Sequence, residues 1–341
     1  MKITTGKKVI LLLMVVLILS TAVAVILLPP KYEPLSFPGG KKFAFSICDD
    51  TDLSTVENIK PVYDYLYKLG LRTTKTVWVF PTNEPEAWPN RGESLTDSNY
   101  TAFILEIQKK GFEIASHGSR GGSTKRMETL ESIEKFKEII GHYPKVHINH
   151  YKNKDNLYWG VDRFDLLPLK ILYNWVQGEE EFYGHTPASE YFWGDISQAC
   201  ITYVVNFSFH EINITKVNPL IPYHNPKKPY VNYWFHTSDG GDVNAFNQLL
   251  SKENLDRLES EGGVCIVYTH LAKGFCTNGV LNAATKERLQ DLASRNGWFV
   301  PASEILDYLR QNQQDKQTLS LRQEVYLELR WVLEKILYGS S

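Results

Sequence analysis

Four cysteines are few for a chain of 341 residues, and no two of them form a CxxC pair. Cys48, Cys200, Cys265 and Cys276 therefore build neither a finger-type zinc site nor a disulfide framework. Cys48 and Cys265 sit inside apolar runs and read as small buried thiols. A basic excess is also lacking. Thirty-seven Lys and Arg against 39 Asp and Glu leave a formal net charge of -2, which speaks against a nucleic-acid partner. No internal repeat and no low-complexity segment interrupts the chain, so a solenoid or a disordered array is excluded.

Aromatic residues are plentiful: 13% of the chain, with 8 Trp and 19 Tyr. They suit either a large barrel core or loops that stack on sugar rings. The N-terminus carries the one long apolar run, Val9 to Leu28, broken only by Ser20 and Thr21 and preceded by Lys2, Lys7 and Lys8. About 20 apolar residues span a bilayer as a helix, and flanking lysines hold their side in the cytoplasm. Ala22-Val23-Ala24 resembles a signal-peptide cleavage site, but the run continues to Leu28 before Pro29-Pro30. The expectation is an uncleaved single-pass membrane protein: a cytoplasmic stretch at 1–8, a transmembrane anchor at 9–28, a Pro/Gly linker at 29–40, and a periplasmic or extracellular domain beyond.

That domain, 41–310, alternates strands and helices. Lys42 to Cys48 reads as a strand, Thr55 to Leu69 as a helix, Arg72 to Phe80 as a strand and Asn99 to Lys110 as a helix. The pattern resumes with Gly111 to Ala115, Thr129 to Ile140, Val146 to His150 and Ile201 to Phe207. Leu249 to Ser260, Val264 to Thr269 and Asn282 to Asn296 continue it, and a short strand Trp298-Phe299-Val300 before the helix Ala302 to Leu309 completes it. Such alternation predicts parallel βα units with the chemistry at the C-terminal strand ends. A stretch at 311–341 holds an amphipathic helix with Leu321, Val325, Leu329, Val332 and Ile336 on one face. Trp331 and Tyr338 would suit a membrane surface; packing on the barrel is the plainer expectation.

Ionisable groups end three strands: Asp49-Asp50, His117 and His270. Two adjacent carboxylates can divide the work, one binding a metal while the other stays free as a base. Imidazoles at neighbouring strand ends can complete the site or supply an acid. Thr51-Asp52-Leu53-Ser54 reads more simply as the cap of the next helix.

In this order the segments resemble the polysaccharide deacetylase (NodB-homology) family. Phe43-Ala-Phe-Ser-Ile-Cys-Asp49-Asp50 is similar to its first motif, a strand ending Thr-Phe-Asp-Asp-Gly. Gly111-Phe-Glu-Ile-Ala-Ser-His117 is similar to its second, and Val264-Cys-Ile-Val-Tyr-Thr-His270 to its last. The resemblance covers roughly Lys41 to Leu309 and implies a distorted parallel (β/α)7 barrel. It further implies Asp49 as general base, Asp50 and His117 as ligands of a divalent metal, and His270 as the acid that protonates the leaving amine. Zinc is the expected ion, with cobalt, nickel or manganese as alternatives. The implied reaction is hydrolysis of an N-acetyl group on a cell-envelope or surface polysaccharide. An inactive glycan-binding or assembly protein is the alternative.

Three departures qualify the resemblance, one being that the family's arginine-proline motif after the next strand is not recognisable. The motif-one glycine is Thr51, and the second metal histidine of the family, four residues after the first, is Gly121 here. His150 is the candidate replacement ligand, with Asn149 and His147 as others. Asn149, Lys75, His236 and Asp239 are the candidate substrate contacts. Lys75 would reach the barrel mouth and pair with Asp49 or Asp52. His236 and Asp239 belong to an aromatic run and Gly-bearing turn that would meet sugar hydroxyls.

Overall fold

A computed structural model describes residues 20, 29–84, 91–178, 180–313 and 317–339. The expected cytoplasmic stretch and, apart from Ser20, the expected anchor lie outside the described residues. Among the described residues no helix is long and apolar enough to cross a membrane.

Seven parallel strands close into a barrel: β1 (Phe43–Asp49), β2 (Thr74–Val77), β3 (Glu113–Ser116), β4 (Val146–His147), β5 (Tyr203–Phe209), β6 (Tyr233–Asp239) and β7 (Val264–Thr269). β7 pairs with β1 along six residues, from Ala44↔Val264 to Asp49↔Thr269. On its other side β1 meets β2 only at Cys48 and Asp49. The first half of that edge is taken by β10 (Gly297–Phe299), so the barrel is distorted at its lower end. A short antiparallel hairpin, β8 (Cys276–Thr277) and β9 (Val280–Leu281), follows β7.

The alternation of large and small residues along β1 explains how it sits. Phe43, Phe45 and Ile47 join the cluster formed with α1 (Val56–Lys68) and α2 (Ser98–Lys109). Ala44 and Cys48 instead join the inner cluster with Ala115, Val146 and Ile266. Period two thus sends odd residues of β1 to the helix layer and even ones into the barrel. The same holds for β7, where Val264 and Ile266 point inward and Cys265 and Val267 outward. Cys48 and Cys265 are buried free thiols, as their settings implied, and Cys276 is a third.

The outer helices continue with α3 (Arg126–Ile140), α4 (Leu167–Gln177), α5 (Gly194–Cys200), α6 (Ile214–Val217), α7 (Val243–Leu249), α8 (Lys252–Glu261), α9 (Ala283–Ser294) and α10 (Ala302–Gln311). Two expectations need correction. The stretch Leu249 to Ser260 is split, because Ser251 ends one helix and caps the next by accepting from Asn254 N. Trp234 to Asp239 is not a turn but most of β6, buried throughout.

The linker and the C-terminal helix both pack on the barrel. Phe37 is buried against Trp298 and Tyr308, and the Tyr32 hydroxyl donates to the carbonyl of Gly262 at 2.8 Å. Helix α11 (Leu321–Tyr338) starts with a capping box at Ser320 and Gln323 and ends at Gly339 in the left-handed region. It buries Tyr326, Leu327, Leu329 and Trp331 against Phe164 and Phe207. Leu321 and Ile336, expected on its inner face, are exposed.

Candidate metal centre

The inward parity of each strand decides what reaches the barrel mouth. Asp50 follows β1, His117 follows β3, His150 lies just past β4, and His270 follows β7. All four are buried, together with Asp52 from the turn after β1. His117 Nε2 lies 3.1 Å from His150 Nδ1 and 3.5 Å from Asp52 Oδ1. His150 Nδ1 lies 3.2 Å from the same Asp52 oxygen. Asp50 Oδ1 is 3.1 Å from His117 Nε2, and Asp50 Oδ2 is 3.6 Å from His270 Nε2. Two sets of donor atoms, Asp52–His117–His150 and Asp50–Asp52–His270, each fall within 4.8 Å.

This crowding fits a divalent cation. A neutral ring nitrogen donates one hydrogen or accepts one, yet His117 Nε2 faces another imidazole nitrogen and two carboxylates. Asp52 Oδ1 is buried and makes no hydrogen bond. Donor atoms about 2.0–2.1 Å from a tetrahedral ion sit roughly 3.3 Å from one another, and the three separations here are 3.1, 3.2 and 3.5 Å. Burial pushes the Asp52 carboxyl up, but attraction to the facing imidazoles of His117, His150 and His270 outweighs it and holds the group well below the usual range. Asp52 is thus an anion facing imidazoles.

The surrounding structure fixes each group. Trp78 stacks on the His117 ring and meets His150 edge-on. His150 rides on a loop pinned by asparagines: Asn156 Oδ1 accepts from His150 N and Asn156 Nδ2 donates to His150 O at 2.7 Å. Asp155 accepts from Thr124 N and Oγ1, and Asn153 Oδ1 from Gly122 N, so this loop is stitched to the one after His117. At Gly121 the backbone serves instead of a side chain, its carbonyl accepting from Thr82 Oγ1 and Asn83 N. His270 Nδ1 meets the carbonyl of Gly241 at 2.7 Å, which leaves Nε2 toward the two aspartates. Burial lowers the His270 pKa, but Asp50 and Asp52 raise it further, for a net upward shift. The Tyr268 hydroxyl donates to Asp50 Oδ2 at 2.8 Å.

The other expected residues lie elsewhere. Asp49 has the outward parity of β1. Its Oδ2 accepts from the Tyr63 hydroxyl at 2.9 Å and pairs with Lys75 Nζ at 3.0 Å, and its Oδ1 accepts from Leu271 N. Asp49, the expected general base, thus lies buried outside the Asp/His group, and Lys75 makes one of the two pairings expected of it. Asn149 lines the cavity, but its amide is spent on both backbone groups of Leu157. His236 is buried beside Phe207, Phe209 and Tyr223, with its pKa pulled by burial to about 3. Asp239 accepts from Gly241 N and so shapes the turn that holds His270. His147 meets Ser116 and Asn149, and burial brings its pKa to about 3. Asp52, Tyr268 and Trp78 were missed. Asp52 was read as a cap, but the cap of α1 is Thr55, which accepts from Asn58 N.

The mouth opens into a cavity of about 630 Å³ lined by Asp50, Asp52 and His270 together with Trp159, Arg163 and Trp331. This size is ordinary for a small-molecule site.

No protein-family model and no curated protein matches the sequence. Solved structures do match. A candidate polysaccharide deacetylase from Mycobacterium smegmatis superposes with a TM-score of 0.52 at 15% identity, covering 86% of this chain and 98% of that one. The barrel has the polysaccharide deacetylase fold. Two further similar structures are Puue allantoinase (TM-score 0.47, 12% identity, 83% of this chain and 95% of that one) and the peptidoglycan deacetylase PdaC of Bacillus subtilis (0.38, 12%, 81% and 94%).

Proposed function

We propose that this chain is a metal-dependent hydrolase that removes N-acetyl groups from a cell-envelope or surface polysaccharide. The observation that carries the reading is the convergence of Asp52, His117 and His150 on one point, with Asp50 and His270 both turned toward it. Those three residues would hold the ion, with zinc the first candidate for an Asp/His set and cobalt, nickel or manganese the others. When bound, such an ion polarises the acetamide carbonyl and lowers the pKa of a water molecule.

The remaining work falls to the chain's own groups. Asp50, fixed by Tyr268 and by the Asp52 backbone N–H at 3.1 Å, takes the proton of the attacking water. His270, whose pKa the two aspartates raise, gives a proton from Nε2 to the departing amine. The base is thus assigned to Asp50 and the carboxylate ligand to Asp52, one step along from the motif-based assignment. His150 offers a donor where Gly121 offers none, which removes the motive for an inactive barrel. The apolar run at 9–28, with lysines ahead of it, supports a membrane tether that leaves this barrel outside the cytoplasm.

The test is acetate release from N-acetylglucosamine oligomers by the purified chain, before and after chelation and with each of the four metals added back. Release that chelation abolishes and one metal restores is the expected result. A chain that purifies without divalent metal, and whose melting temperature no added metal raises, refutes the reading.

A further inference from the structure

The cavity beside the Asp/His group also holds a cation that makes no ion pair among the described residues. Arg163 is 6% exposed. One of its terminal nitrogens donates to the carbonyl of Asn206. Its guanidinium lies over the rings of Trp159 at 3.9 Å, Trp331 at 5.0 Å and Phe207 at 5.3 Å. Its Nε is buried and unpartnered. Among the described residues no carboxylate pairs with it. Burying a full charge without a counterion is costly, and three rings offset only part of that cost.

Lys152, Lys273 and Lys335 line the same cavity, as does Glu180, which accepts from the Tyr173 hydroxyl at 3.0 Å. The cavity therefore has two poles. At one, carboxylates meet imidazoles and a candidate metal. At the other, the buried Arg163 and the neighbouring Lys335 of α11 stand near Glu180. Burial brings the Arg163 pKa down to about 10, which leaves the group charged at any working pH.

We propose that the Arg163 pole binds an anionic substituent of the glycan, a carboxylate or a phosphate, while the acetamide occupies the Asp/His pole. This rests on the glycan reading above and narrows it to acidic polysaccharides. The guanidinium supplies planar, charge-assisted hydrogen bonds to either anion. The half-buried Trp159, which lines the same cavity, offers ring surface to the sugar that carries it.

The experiment is calorimetric binding of three probes to the full chain in detergent. They are N-acetylglucosamine, N-acetylglucosamine 6-phosphate, and the disaccharide of glucuronate and N-acetylglucosamine. Metal content is assayed separately on the same samples. At least one charged probe should bind about tenfold or more tightly than the neutral sugar, with the advantage shrinking as salt rises. A preference for the phosphate or for the glucuronate probe identifies which anion the pole takes. R163Q should erase the advantage and K335Q reduce it, with metal content unchanged in both. If R163Q does not fold, K335Q and the salt series decide. Equal binding of the three probes, or a preference that survives in folded R163Q (or, failing that, in K335Q and at high salt), overturns the proposal. Absence of metal in every sample would refute the hydrolase reading and leave the anion preference standing.

Discussion

At the end of β1 the two-residue alternation of a strand separates neighbours. Asp50 turns into the barrel mouth toward His117 and His270, while Asp49 turns out toward Tyr63 of α1 and Lys75 of β2. Their roles should separate in the same way. Asp49→Asn leaves Lys75 buried without its counterion, and such a loss costs about 3–5 kcal/mol. Urea unfolding should show that cost, while metal content stays at the wild-type level. Asp52→Asn should do the reverse, with metal lost and stability of the metal-free protein little changed. His270→Gln should keep its metal and lose about 10²–10⁴-fold in acetate release, the usual worth of a positioned acid. The parity was readable in the sequence, since Phe43, Phe45 and Ile47 are large and Ala44, Ser46 and Cys48 are small. Motif alignment counts residues and ignores the side of the strand, so it assigned the base to Asp49. Asp52 lies past the strand in a turn, where no periodicity marks its direction.

The elements that complete the site come from far along the chain. His150 is 33 residues from His117, and only the asparagine-pinned loop after β4 brings its ring in. A two-residue strand followed by that loop leaves little pattern to read. β6 was hidden for a related reason: its Gly-Gly end reads as a turn, but both faces of the strand are buried, so no polar alternation shows. Helix α11 buries only the middle of its expected stripe, Leu329 with the partly buried Val325 and Val332, because Trp331 and Tyr326 fill the space over Phe164 and Phe207 while Leu321 and Ile336 stay exposed. Trp331→Ala should cost about 3–5 kcal/mol in unfolding and open the cavity wall. In the same helix Glu328 accepts from Asp165 N at 2.6 Å and Leu166 N at 3.1 Å, capping α4 from outside. Burial lifts its pKa from 4.5 to about 7. The folded chain thus holds this proton more tightly than the unfolded chain. Its contribution is full below about pH 4.5 and is lost as pH rises through about 7, up to roughly 3 kcal/mol. Glu328→Gln should flatten stability across that window; an unchanged pH slope would show that Glu328 does not carry it.

Across the whole molecule the seven-stranded closure was what the family resemblance implied, while the βα alternation and the placement of chemistry at the strand ends were legible, because most βα units announce themselves locally. What joins the units was not. Which carboxylate meets which imidazole depends on the closure of β7 onto β1 and on loops that no local pattern describes. The central claim is that Asp52, His117 and His150 share one divalent ion, with Asp50 and His270 beside it. Anomalous diffraction from crystals grown with zinc tests this most directly. The account predicts one strong peak bonded to an Asp52 oxygen, His117 Nε2 and His150 Nδ1, and no density at Asp49. A peak ligated by Asp49, or an empty site in crystals of a folded protein soaked with each of the four metals, would contradict it.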